Sequence, residues 1–140
     1  MVAGMGDYNI RRTDDWTGVQ KINNRHFNAE IYQDYDGAAW FVYYKGFVVG
    51  FCSCRVLEGG TLYLTRAAIQ PEHRGKGLHK RMLRVREAYG RRVGCGEAIT
   101  YVAKDNMPSI MGLVKSNYKL YDPEYAYVGR SEYYYFIKSF

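Results

Sequence analysis

IQPEHRGKGLHKRMLRVRE, residues Ile69 to Glu87, runs from a strand-like end through a glycine loop into a basic helix. Two glycines and four cations, Arg74, Lys76, Lys80 and Arg81, fall within the loop and the first helical turn. Glycines let backbone N–H groups turn inward and approach an anion closely. A helix start adds unpaired N–H groups and the positive end of its dipole. Strand, RGKG and helix in this order therefore predict a phosphate-binding element. Two other phosphate motifs do not fit. A Walker loop needs GxxxxGK followed by Ser or Thr, and the chain has no such run. A Rossmann loop needs GxGxxG, whereas GKGLHK lacks the third glycine and follows a fourth strand rather than a first.

Outward from this stretch, apolar spacing at Leu78, Met82, Val85 and Tyr89 predicts a helix from about Gly77 to Val93, closed by GCG. Upstream, YNIRR reads as a first strand. Thr13, Asp14 and Asp15 offer N-caps for a helix over WTGVQKINNRHF. NAEIYQD reads as a second helical piece and DYDG as a turn. AAWFVYYK and FVVGFCSCRVL form a hairpin across Lys45-Gly46, and TLYLTRAAIQ follows a tight turn at Glu58 to Gly60. Downstream, EAITYVAK is a strand, NMPSIMGLVKSN a helix, and YKLYDPEYAYVG and SEYYYFIKSF two more strands. No repeat, linker or low-complexity tract interrupts this order, so residues 1–140 are expected to form a single α/β domain with a mixed sheet.

The charge sits in the same place. Between His73 and Arg92 eight Lys and Arg residues face Glu87 alone, a surplus larger than the +6 of the whole chain. A polyanion or a phosphorylated cofactor is the natural partner of such an element. Arg84, Arg86, Arg91 and Arg92 read as a solvated helix face. No apolar run is long enough to cross a membrane. The opening MVAGMGDYNIRRTDD has no apolar signal core, and Cys52, Cys54 and Cys95 suit reduced thiols better than a disulfide or a metal site. A cytoplasmic protein with no metal and no membrane partner is expected.

PEHRGKGLHKRML resembles the acyl-CoA pyrophosphate loop of the GCN5-related N-acetyltransferase (GNAT) superfamily, whose pattern is Arg or Gln, two residues, Gly, one residue, Gly or Ala. Arg74 and Gly77 match it, while His79 stands where Gly or Ala is usual. AAIQP, Ala67 to Pro71, occupies the place of the family's strand end. NMPSIMGLVKSNY resembles the family's later helix motif, with Asn106, Ser109, Lys115 and Tyr118 in register. The resemblance covers essentially the whole chain. It implies a central mixed β-sheet flanked by helices, acetyl-CoA as co-substrate, and direct attack of a primary amine (a protein lysine or N-terminus, or a small-molecule amine) on the thioester. It assigns backbone groups of Ala67, Ala68 and Ile69 to the pantetheine, Gly75, Lys76, Gly77, Leu78, His79 and Lys80 to the pyrophosphate beside Arg74, and Asn106 and Ser109 to the pantetheine or adenosine arm.

Proton handling departs from the family. Tyr63 stands where some members carry a Glu base, and Leu113 where many carry a Tyr acid. Tyr63 and Tyr118 are the candidate substitutes, with Glu30, His26 and Glu58 as further options. Glu30, Asp34 and Asp36 cluster where the fold places its acceptor, and carboxylates would attract a protonated amine. Seven of the 15 tyrosines lie at or after Tyr118; some would line an acceptor slot or a homodimer surface. Two other readings stand beside the enzyme: an acyl-CoA-binding relative without catalysis, motivated by Leu113 and Tyr63, and a nucleic-acid-binding module using the basic helix. Nucleic acid is the weaker fit, because the basic residues lack aromatic interleaving.

Overall fold

The computed structural model describes residues 5–27, 37–124 and 132–140. NAEIYQD, most of DYDG, and the proposed acceptor residues Glu30, Asp34 and Asp36 lie outside the described residues. Strands β1 (Tyr8–Thr13), β2 (Gly37–Tyr44), β3 (Phe47–Leu57), β4 (Thr61–Ile69), β5 (Glu97–Ala103), β6 (Lys119–Leu120) and β7 (Tyr133–Ser139) form a seven-stranded sheet in the order β1-β2-β3-β4-β5-β7-β6. Helix α1 (Trp16–His26) precedes β2, α2 (Leu78–Arg92) links β4 to β5, and α3 (Met107–Lys115) follows β5. Among the described residues no helix is long and apolar enough to cross a membrane.

Local chemistry accounts for the elements. Asp15 caps α1 by accepting from Gly18 N–H at 2.9 Å. Lys45 and Gly46 both take positive φ, 48° and 89°, the geometry of a tight turn whose twist matches two paired strands. Gly94 takes φ 92° beyond α2, and Cys95 N–H returns to Gly90 O at 2.8 Å, so the helix stops where GCG was expected to stop it. The final aromatic run yields one full strand, β7, while β6 is two residues long.

The sheet carries a core on each face. Trp40, Val42, Leu62 and Leu64 pack with Leu78, Met82 and Leu83 of α2 and Leu113 of α3. Ala39, Phe41, Phe51 and Ala68 pack with Val19 of α1. One strand serves both patterns through a bulge. Ser53 of β3 pairs with Arg66 but Cys54 pairs with Leu64, so Thr65 is an extra residue in β4. The Ser53 and Thr65 hydroxyls bridge the bulge at 2.6 Å.

β4 meets β5 in parallel only over Thr61↔Glu97, Leu62↔Ala98 and Tyr63↔Ile99. Beyond that point the two strands separate. Thr100 then donates its hydroxyl to Leu64 O at 3.1 Å, a side chain taking the place of the next ladder bond. The end of β4 is held instead against β3. A Cβ on Gly50 would lie 2.5 Å from Ala68 O and 2.5 Å from Ile69 Cδ1. Gly50→Ala is therefore expected to lower stability by ~1–3 kcal/mol, checked by urea unfolding; an unchanged midpoint would show that β4 can move away from β3.

Cys52, Cys54 and Cys95 are free and buried. Burial pushes the Cys52 thiol up to about 11 and the Cys54 thiol to about 12, Arg86 opposing both. Only the thiolate reacts, so at pH 8 the native protein should resist a thiol reagent that labels all three cysteines once urea is added. Rapid native labelling would show an opening of this core.

Candidate acyl-CoA site

Separation of β4 and β5 opens a cavity of about 540 Å³. Leu64 to Ala67 of β4 form one wall and Thr100 to Ala103 of β5 the other. His79, Leu83 and Arg86 of α2 line its base, and Asn106, Ser109 and Leu113 close it from the α3 side. Phe27, Arg66 and Tyr133 complete one rim, with the Arg66 guanidinium 4.6 Å from the centre of the Phe27 ring.

The wall formed by β4 presents backbone groups. Gln70 N–H donates to Val49 O at 2.8 Å, and the register continues through Ile69↔Gly50, Ala68↔Phe51 and Ala67↔Cys52. Hydrogen-bonded and non-bonded pairs alternate along an antiparallel ladder. Gln70 and Ala68 thus spend their polar groups on β3, while Ala67 and Ile69 turn theirs toward the open edge. Ala68, also named for the pantetheine, has its backbone groups on the β3 side in this register. Ile69 O accepts from Arg74 Nε at 3.0 Å, so Arg74 anchors the loop to the strand it leaves.

The loop has the predicted form. Gly75 and Gly77 both take left-handed φ, 74° and 76°, and Gly77 is the N-cap of α2 with no side-chain cap bond. The first helical bond is Arg81 N–H to Gly77 O at 3.4 Å. The N–H groups of Leu78, His79 and Lys80 lie ahead of it, at the positive end of the helix dipole. The Leu78 side chain is in the core, so that residue contributes its backbone alone. Lys80 is exposed and Lys76 partly so. Arg81 is committed elsewhere: both Nη atoms donate to Tyr8 O at 3.3 Å. The Tyr8 hydroxyl in turn bonds His73 Nδ1 at 2.8 Å, which staples β1 to the loop. His79 takes the departure from the family pattern into the cavity itself. Partial desolvation, then Arg86 and Arg74, lower its imidazole below the usual 6.5.

Several expected roles meet a different geometry. The two tyrosines named for proton transfer do not line the cavity. Tyr118 is 2 % exposed and donates its hydroxyl to Glu87 Oε2 at 2.7 Å; burial and that bond push its phenol far up. Tyr63 is likewise raised by burial and sits behind Tyr101, to which it hydrogen-bonds and which does line the cavity. His26 and Glu58 are also absent from the lining. Asn106 caps α3 by accepting from Ser109 N–H at 3.4 Å and lines the cavity as well.

The basic helix is less free than its charge suggested. Arg86 is 4 % exposed, not part of a solvated face. Arg91 lies over Phe140 at 4.6 Å and Arg92 over Tyr89 at 5.7 Å. The sequence pattern missed the bulge residue Thr65, the strand-spanning Thr100 and the cavity position of Arg86. Each depends on pairing between distant strands, and none leaves a local signal.

A mixed sheet parted at two parallel strands thus lies beside a glycine loop and a helix start. Residues 8–111 match the Acetyltransferase (GNAT) family, and the chain belongs to it. Naa50 of Arabidopsis thaliana, in complex with the bisubstrate analogue CoA-Ac-MVNAL, superposes with TM-score 0.79 at 19% identity, covering 96% of this chain and 99% of that one. The PaiA N-acetyltransferase of Thermoplasma acidophilum, in complex with coenzyme A, gives 0.74 at 16%, covering 95% and 99%. The dodecameric spermidine N-acetyltransferase of Vibrio cholerae gives 0.74 at 13%, covering 96% and 94%. No curated protein matches the sequence.

Proposed function

We propose that this protein is an N-acetyltransferase that passes the acetyl group of acetyl-CoA to a primary amine by direct attack. The observation that carries this reading is the open β4 edge. Ala67 lines the cavity, and beyond Tyr63 no strand pairs with β4 on the side away from β3. An extended pantetheine arm laid in the gap pairs with that edge as a strand would, and its pyrophosphate reaches the N–H groups of Leu78, His79 and Lys80. Gly75, Gly77, Lys76 and Lys80 surround the pyrophosphate, with Arg74 holding the loop closed. Asn106 and Ser109 border the arm from the α3 side.

The chemistry needs little more than placement. A β4 amide at the thioester carbonyl stabilises the charge that forms on oxygen as the amine adds, and a fixed amine beside a fixed thioester supplies proximity. The amine nitrogen bonds to the carbonyl carbon, the C–S bond breaks, and the thiolate of CoA leaves. Tyr63 and Tyr118 stand away from this point. Proton release falls to water in the cavity, where Tyr101 lines the wall and is hydrogen-bonded to Tyr63 behind it. The acceptor is an amine entering from the rim of Phe27, Arg66 and Tyr133; Glu30 and Asp34 are the carboxylates proposed to attract it.

Calorimetric titration with acetyl-CoA, followed by thiol release over a panel of lysine peptides, free N-termini and polyamines, tests the reading. Saturable binding with release on one amine class is expected. Binding without release on any amine would favour the non-catalytic relative, and no binding would remove the cofactor. Nucleic-acid binding that persists at saturating CoA would place that activity on a separate surface.

A further inference from the structure

Arg86 is a buried cation that this fold has no evident structural need for. Its Nε donates to Met82 O at 3.1 Å and its Nη1 to Ser53 O at 3.4 Å, both neutral carbonyls. A guanidinium has five N–H donors, so donors remain without a protein partner although the residue is 4 % exposed. It lines the cavity. Among the described residues no Asp or Glu lines that cavity. Glu87, the next residue along α2, is turned away to Tyr118 and Lys138. Tying down two carbonyls does not require a charge, and a buried guanidinium carries a desolvation cost that neutral partners leave largely uncompensated.

The position of this cation is as informative as its burial. Ser53, which it touches, pairs with Arg66 and bonds the hydroxyl of Thr65, the bulge residue. Arg86 therefore lies under the bulge, where β4 and β5 begin to part. It is nine residues beyond Gly77, ~13 Å down the helix from the proposed pyrophosphate position. An acyl-CoA laid in the gap with its phosphates at the helix start directs its acyl end toward the bulge and Arg86.

We propose that Arg86 marks an acyl pocket that accepts, besides acetyl, an acyl group ending in a carboxylate, such as succinyl, and prefers it to a neutral acyl group of similar length. The inference rests on the reading above that acyl-CoA occupies this cavity. A carboxylate here would meet the remaining guanidinium donors in a charge-assisted pair. Transfer would follow the same course: the amine nitrogen bonds to the thioester carbonyl, the C–S bond breaks, CoA leaves as thiolate, and the amine gives up one proton to water. The product is an amide bearing a free carboxylate, which turns a cationic amine into an anionic group.

The test is titration of the full chain with CoA, butyryl-CoA and succinyl-CoA. Succinyl-CoA is expected to bind at least ~10-fold more tightly than butyryl-CoA, as a hydrogen bond to a charged group would give. Arg86→Met should erase that difference, and Arg66→Met, which changes the other cavity arginine, should keep it. Equal affinities of the two thioesters for the unaltered protein would overturn the proposal and leave the acyl-CoA reading standing. Loss of the difference in Arg66→Met, or its survival in Arg86→Met, would overturn it too, and the Arg66 result decides if the Arg86 variant does not fold. Failure of all three ligands to bind would overturn the cofactor reading itself.

Discussion

Gly77→Val is expected to weaken acetyl-CoA binding by at least ~100-fold, about 2.7 kcal/mol, in a protein that still unfolds cooperatively. Gly77 holds φ 76° as the N-cap of α2. A β-branched residue resists that conformation, with strain of ~1–3 kcal/mol. The strain is relieved by turning φ negative, and that rotation swings the N–H groups of the first turn off their common target. The isopropyl group then stands where the anion must approach. Core contacts of Leu78, Met82 and Leu83 lie below the loop, so the domain persists while the site is lost. Calorimetry with acetyl-CoA beside a thermal scan separates the two effects. Normal affinity in this variant would remove the pyrophosphate from the helix start.

The second large effect concerns stability. Glu87 accepts from the Tyr118 hydroxyl at 2.7 Å and from Lys138 Nζ at 3.1 and 3.3 Å. The two side chains of the ion pair are 18% and 6% exposed, Lys138 and Glu87 respectively. Glu87→Ala leaves an ammonium and a phenol without their acceptor, and breaking such a buried pair from one side costs ~3–5 kcal/mol. A fall in Tm of roughly 10 °C follows for a chain of this size. Replacing both members, Glu87→Leu with Lys138→Met, should recover much of the loss, because the uncompensated charge goes with them. A shift of Glu87→Ala below ~2 °C would show that water already screens the pair. The network also fixes an alkaline limit. Burial, then the bond to Glu87, holds the Tyr118 phenol above its usual 10.0, so its contribution is full below pH 10 and lost as pH rises beyond it. Glu87→Ala should flatten that alkaline decline.

Much of this architecture was legible before any coordinates. RGKG with a helix behind it predicted the loop conformation, since Gly75 and Gly77 are the residues that adopt left-handed φ without strain. Lys45-Gly46 announced its hairpin and Asp15 its helix for equally local reasons. Local pattern failed where distance in the chain mattered. Arg86 sits among exposed arginines in sequence, yet its helical position turns it to Ser53, 33 residues earlier. Glu87 read as a lone acid amid cations, but its partners lie 31 and 51 residues away. Thr65 looks like any strand residue, because a bulge exists only relative to the neighbouring strand. The tyrosines are hard to sort for a related reason: a phenol is identical on paper whether it faces a cleft, as Tyr101 does, or a buried carboxylate, as Tyr118 does.

The parting of β4 from β5 reaches beyond chemistry. A sheet left unzipped along an inner edge is an unfinished fold, and with acyl-CoA as the proposed filler its completion comes from metabolism rather than from the chain. Each tenfold rise of that metabolite above its dissociation constant adds about 1.4 kcal/mol to the folded state. The lifetime of this protein against proteolysis in a cell should then follow the acyl-CoA supply, so that starvation would deplete the enzyme as well as its donor.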